Sequence, residues 1–328
     1  MNISIWAWVG FHAVVFFLLA LDLGVFHRSA HEVKVKEAAI WTVVWITLSL
    51  LFNLGLYFWL GKETGLNFLT GYLIEYSLSV DNIFIFVLLF SFFRVPSAYQ
   101  HRVLFWGILG ALIMRGSMIL LGAALLQRFE WIIYVFGAFL IFTGLRMFFS
   151  GDGEEEIHPE GNILVRVVRR FIPVTKEMHG PRFFVREGGK LMATPLLLVL
   201  LIVESTDLIF AIDSIPAIFG ITQDAFIVYT SNICAILGLR SLYFLLAGVM
   251  DKFHYLKTGL AFILTFVGVK MLWPEITYLI VHEHYEIPNL LSLGVIIATL
   301  SVAVIASLIR ARRLEAQEPV EVNVVDNR

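Results

Sequence analysis

Six acidic side chains, Asp22, Glu75, Asp81, Glu204, Asp207 and Asp213, sit within long apolar runs. Five of them fall in two similar segments, GYLIEYSLSVDNIFIF and LLLVLLIVESTDLIFAIDSIPAIF. A carboxylate at bilayer depth costs about 2.5–3.5 kcal/mol on insertion scales, so such a cluster needs a metal, a proton or an arginine to offset it. Asn82 and Ser214, each following an acid, add an amide and a hydroxyl oxygen. A donor set of carboxylate, amide and hydroxyl suits the hard cations Mg²⁺, Ca²⁺ and Mn²⁺ and argues against copper or zinc. The residue types alone do not choose among the three. Cys234 is the single cysteine, so no intrachain disulfide or thiolate cluster is available.

The counter-charges are few. Arg115 and Arg240 are the central arginines, and a charge-pairing or gating role is expected of both. One acid and one arginine could simply hold the bundle together, but two arginines do not neutralise five acids. An acid left without a counter-charge exchanges a proton for a cation, which makes proton antiport the expected coupling. Arg146 and Lys270 are read as snorkelling near span ends. Asp22, beside Arg28 at the inner end of the first span, reads as interfacial, with an accessory role at the site as the alternative. Asn232 is expected either to add an accessory ligand or to hydrogen-bond between helices.

Spacing constrains how these groups can meet. At 3.6 residues per turn Glu75 and Asn82 share a face, as do Asp207 and Ser214, whereas Asp81 lies roughly 120° from Glu75. Glu204 and Asp207 project together, but Glu204 and Asp213 lie on opposite sides of a straight helix. All of them converge only if the helices unwind locally. Pro216, which removes a backbone hydrogen bond and clashes with the carbonyl of Ile212, predicts such a break.

The elements that must carry these residues follow from composition. The 328-residue chain is 59% hydrophobic and 15% charged, with a mean hydropathy of +0.84, which excludes an ordinary soluble domain. Apolar stretches near 3–26, 38–60, 68–92, 103–126, 131–149, 193–218, 225–247, 256–273 and 289–309 predict an all-α polytopic membrane protein of about nine transmembrane helices. Loops on one side carry Arg28, Lys34, Lys36, Arg94, Arg102, the basic residues of 166–190, Lys252, Lys257 and the C-terminal arginines; the other side has only Lys62 and Arg128. This alternation places the N-terminus outside and the C-terminus in the cytoplasm. No basic n-region precedes the first span and no small-residue cleavage site follows it, so it is expected to be retained.

The two acidic segments open a longer internal likeness. Glu75-YSLSV-Asp81-Asn82 aligns with Asp207-LIFAI-Asp213-Ser214, Arg115-GSMILLGA with Arg240-SLYFLLAG, and GLRMF around Arg146 with GVKML around Lys270. The order suggests two inverted three-helix repeats, 68–149 and 193–273, preceded by a two-helix segment, 1–67, and followed by a last helix and tail, 274–328. Segment 150–192 reads as a cytoplasmic loop, with a short amphipathic helix over 163–172. Its Glu154–Glu156, His158 and Glu160, and Glu275, His282, Glu283, His284 and Glu286 of the outer loop, read as solvated charge. No nucleotide-binding loop, nucleophile–base arrangement or nucleic-acid signature stands out, so no enzyme and no permanently bound cofactor is expected.

At EYSLSVDN, ESTDLIFAIDSIPAIF, YTSNICAILGLRSLYFLLAGV and KTGLAFILTFVGVKML, and from ALDLGVFHR through TLSLLFN and FLTGYLIE, the chain resembles the TerC family of bacterial integral membrane proteins over nearly its whole length. The resemblance implies export of Mn²⁺ across the bacterial inner membrane, with Glu75, Asp81, Asn82, Glu204, Asp207, Asp213 and Ser214 forming the site. It also admits a Ca²⁺ or broader divalent cation/H⁺ antiporter, or a role with secretion machinery in assembly or metal delivery. Tyr76 stands where the family commonly has lysine, which removes a counter-charge beside Glu75. Tellurite, which the family name suggests, is an oxyanion that a carboxylate-rich site would repel.

Overall fold

The computed structural model describes residues 3–21, 34–129, 131–149, 165–166, 170–175, 177–187, 189–247 and 254–317, apart from the side chains of Asp81, Phe84 and 314–317. Asp22, the acidic run at 154–160 and half of 163–172 lie outside the described residues.

In hydrocarbon each backbone N–H and C=O must be satisfied within its own segment, so apolar runs of this length form helices. The helices are α1 (Ile5–Leu21), α2 (Val35–Leu60), α3 (Lys62–Phe92), α4 (Ser97–Arg128), α5 (Ile132–Phe149), α6 (Pro195–Phe219), α7 (Ala225–Leu237), α8 (Leu239–Leu246), α9 (Leu256–Val281) and α10 (Asn289–Gln317). Among the described residues seven are long and apolar enough to span a bilayer; α7 and α8 together make an eighth, bent by 41°, and α1 is a shorter apolar helix. Each of the nine apolar stretches therefore holds a helix or, at α7–α8, a bent pair. The protein is an all-α polytopic membrane protein. Phe16, Phe17, Val43, Phe58 and Phe142 are exposed, whereas Phe226–Leu237 of α7 are buried throughout. This contrast sets a lipid-facing rim apart from a central helix.

The signals at helix ends are local. Gly61, at φ 98°, turns the chain between α2 and α3 in a conformation open to glycine. Pro195 occupies the first turn of α6, where no N–H partner is lost. The Asp224 carboxylate accepts from the N–H groups of Phe226 and Ile227 and caps α7.

Three features depart from the expectations. Neither α3 nor α6 is interrupted: α6 runs through Pro216 to Phe219, the proline withholding one bond from the Ile212 carbonyl while the turn after it still closes through the Gly220 N–H onto the Pro216 carbonyl. The bend falls instead at Gly238, between α7 and α8. Lys270 is not at a span end, because α9 continues through Pro274 to Val281. The joining segment also contains a two-stranded antiparallel hairpin, β1 (Phe184–Glu187) and β2 (Lys190–Ala193).

Packing runs mainly between the two aligned segments rather than within them. The helix α3 lies on α6 and α7, α4 lies on α6 and α7, and α5 lies along α9. The α5–α9 seam brings backbones together at glycines. A Cβ on Gly144 would lie 2.7 Å from the Ala261 carbonyl and 2.8 Å from the Thr265 nitrogen; one on Gly268 would lie 2.7 Å from the Gly137 carbonyl and 2.9 Å from the Ile141 nitrogen. Small residues permit this approach, as is usual where lipid supplies no hydrophobic drive between helices.

Candidate functional site

Glu75 sits on α3, Asp207 and Ser214 on α6, and Arg115 on α4. All four are buried, with Arg115 only 1% exposed. The guanidinium grips Asp207 with two bonds, Nε to Oδ2 at 2.9 Å and Nη2 to Oδ1 at 2.7 Å. Its Nη1 donates to Glu75 Oε1 and lies 3.4 Å from Ser214 Oγ. The planar fork of arginine suits a two-point grip of this kind, which a lysine could not make. One arginine thus joins the first acid of one segment to its aligned acid in the other.

The straight course of α6 distributes its other acids. Glu204 turns with Asp207 toward α4, where its carboxylate occupies the space that a Cβ on Gly110 would fill. Gly107, one turn earlier, receives Val203. Asp213 turns away, accepts a bond from Thr143 of α5 at 3.4 Å, and lies in the field of Arg146. Among the described residues, no three Asp, Glu, His or Cys side chains come together as a metal-ligating group. The acids are therefore divided between two faces of an unbroken helix.

Several buried polar atoms around this clasp have no hydrogen-bond partner among the described residues: Glu75 Oε2, Ser79 Oγ, Asn82 Oδ1, Glu204 Oε2, and both Oδ1 and Nδ2 of Asn232. Leaving a buried donor or acceptor unsatisfied costs about 1–3 kcal/mol per group. Asn232, 0% exposed, makes no interhelical bond. Arg240 is buried and, with Asp207, Phe86 and Leu104, lines a cavity of about 10 Å³, close to the room one water needs.

The remaining charged groups find local partners. The Lys270 ammonium donates to Asn289 Oδ1 at 2.5 Å, and the Asn289 amide donates to Asn67 Oδ1 at 2.6 Å, so the lysine is held internally instead of snorkelling. Tyr134 of α5 donates to Glu275, which lies on α9 rather than in the loop expected for it, and beyond the end of α9 Tyr285 donates to Glu283. That last bond raises the Tyr285 pKa, because the hydroxyl proton is held by the carboxylate. His284 stacks on Tyr278.

Sequence reasoning named Glu75, Asp207, Ser214 and Arg115, which do meet. Ser79, Thr143 and the role of Gly110 escaped it. The available signals were modest: Ser79 lies four residues after Glu75 on its face, and Gly107 and Gly110 lie three apart.

A family model described as "Integral membrane protein TerC family" matches residues 60–315. A Myxococcus xanthus protein named "Uncharacterized membrane protein STKORF319" is 54% identical over 305 residues, covering 93% of this chain and 92% of that one. An Escherichia coli K12 protein named "Putative membrane-bound redox modulator Alx" is 50% identical over 302 residues, covering 89% and 91%. An uncharacterized membrane protein of Rickettsia bellii is 40% identical over 311 residues, covering 95% of this chain and 100% of that one. No solved structure matches the chain. With a family model over most of its length and relatives that align almost end to end, the chain belongs to the TerC family of integral membrane proteins.

Proposed function

We propose that this protein is a secondary transporter that exports Mn²⁺ from the cytoplasm in exchange for protons, across a bacterial inner membrane, with its N-terminus outside and its C-terminus in the cytoplasm. The carrying observation is the Arg115 clasp on Glu75 and Asp207, acids from two helices held by one buried cation. A guanidinium in that position offsets the charge of an empty site much as a divalent ion would offset that of a loaded one. Entry of Mn²⁺ displaces the guanidinium from at least one carboxylate, and the unpartnered oxygens of Glu75 and Asn82 add ligands. Asp81, Glu204 and Asp213 complete the donor set as α3 and α6 move. After release, protons or Arg115 return to the acids, so binding of metal and of protons is mutually exclusive. Manganese is preferred over calcium on the family resemblance, both being ions for oxygen ligands.

The word "redox" in the name of the Escherichia coli relative does not translate into thiol exchange here. Cys234 is the single cysteine of the chain and is buried. Any redox consequence would follow from moving a metal.

Purified protein in liposomes tests the proposal. Wild type should move Mn²⁺ against an opposing proton gradient, and Asp81→Asn should abolish that movement. Absence of flux from wild type would sink the transport reading and favour a scaffold or delivery role with secretion machinery. Calcium flux without manganese flux would reassign the cargo.

A further inference from the structure

Three unpartnered oxygens lie at one helical spacing. Glu75, Ser79 and Asn82 stand at i, i+4 and i+7 of α3, and Glu75 Oε2, Ser79 Oγ and Asn82 Oδ1 are all buried without a hydrogen-bond partner. At 1.5 Å of rise per residue they span about 10 Å along a single face. Ser79 is the telling member. Buried hydroxyls on helices ordinarily donate to the carbonyl four residues back; here Thr42, Ser49, Ser77 and Thr230 all do. Ser79, 1% exposed, does not. Its hydroxyl is withheld from the one bond that the helix offers it.

The aligned face of α6 behaves differently. Its positions are Asp207, Ala211 and Ser214. Both Asp207 oxygens are taken by Arg115, Ala211 has no polar atom, and Ser214 Oγ lies within reach of Arg115 Nη1. One helix therefore has its oxygens consumed, whereas its counterpart keeps a row of them unused. Asparagine and serine oxygens in such a row are neutral hard donors, fit to pass a partly dehydrated divalent cation without trapping it. Beyond Asn82 the same face reaches Phe86, which lines the small cavity beside Asp207 and Arg240.

We propose that the Glu75–Ser79–Asn82 face of α3 is the loading route by which a divalent cation reaches the Arg115 clasp from the cytoplasmic side, with Ser79 as its intermediate ligand and Phe86 as its inner closure. The proposal rests on the transport reading and orientation given above. It adds a direction: the Phe92 end of α3 leads to Arg94 in the following loop and Arg102 early in α4, the basic side assigned to the cytoplasm, so the vacant oxygens lie between the clasp and the cytoplasm.

The test uses the full-length protein in liposomes, with wild-type Mn²⁺ flux measured first. Ser79→Ala should raise the Mn²⁺ concentration for half-maximal flux roughly 10-fold, the lower end of what lost supporting groups cost metal sites. Ser79→Thr should restore it. Ser79→Ala should also leave the melting temperature in detergent unchanged or higher, since it deletes an unsatisfied buried hydroxyl; a structural role predicts a fall. In a Cys234→Ala background, Ser79→Cys should react with a charged, membrane-impermeant thiol reagent in inside-out vesicles, more slowly with Mn²⁺ present. Ala211→Cys should not react from that side. If wild type carries no flux, the transport reading and this route fall together. If wild type transports, then unchanged flux in Ser79→Ala, or failure of Ser79→Cys to react from the cytoplasmic side, overturns the route alone.

Discussion

Arg115 holds two buried carboxylates, so its removal leaves both charges uncompensated. Breaking a buried pair in this way typically costs about 3–5 kcal/mol, and Arg115→Ala should lower thermal stability in detergent accordingly. Arg115→Lys keeps the charge but cannot reproduce the two-point grip on Asp207, so it should recover part of the stability and little of the transport. At this scale the sequence was informative about residue type: acids in apolar runs announce themselves. Partner choice was less legible, since nothing local to Arg115 says that it joins Glu75 to Asp207 while Asp213 goes to Thr143. Chemistry at the site should follow pH in one direction. Because protons compete with metal for carboxylates, Mn²⁺ affinity should fall as pH falls, and Glu75→Gln should weaken binding and flatten that dependence. Isothermal titration at two pH values on both proteins measures it; equal affinities throughout would remove Glu75 from the site.

The unbroken course of α6 decides which acids can act together. Pro216 forfeits one bond, to the Ile212 carbonyl, but the turn after it closes through the Gly220 N–H, so the helix continues to Phe219; a proline-based reading sees the lost bond and not the bonds that remain. The bend at Gly238 left only a glycine as signal, in a chain with 24 of them. Gly110 is the more consequential glycine for the site, because a side chain there would overlap the Glu204 carboxylate. Gly110→Ala should therefore push α4 from α6 and drag Arg115 with it, lowering transport while total expression is retained. Paired flux and membrane-fraction blots separate that outcome from simple misfolding.

Across the whole molecule, hydropathy foretold all nine apolar segments, because it is carried by composition rather than by contacts. Composition says nothing of how the segments interlock. The helices of 68–149 find their neighbours chiefly in 193–273, so neither segment makes a self-sufficient bundle. A chain cut within the joining segment 150–192 should yield halves that are degraded when expressed singly and recovered when co-expressed, as pull-down of one half by a tag on the other would report. The glycine seam between α5 and α9 gives this interlocking a further meaning. Gly144 meets Ala261 and Thr265 as Gly268 meets Gly137 and Ile141, and these positions correspond in the aligned segments. Reciprocity of that kind is the mark of an isologous dimer interface. The chain carries, folded into one polypeptide, the contact that two separate half-length subunits would make about a two-fold axis, and damage at either glycine should be felt equally by both halves.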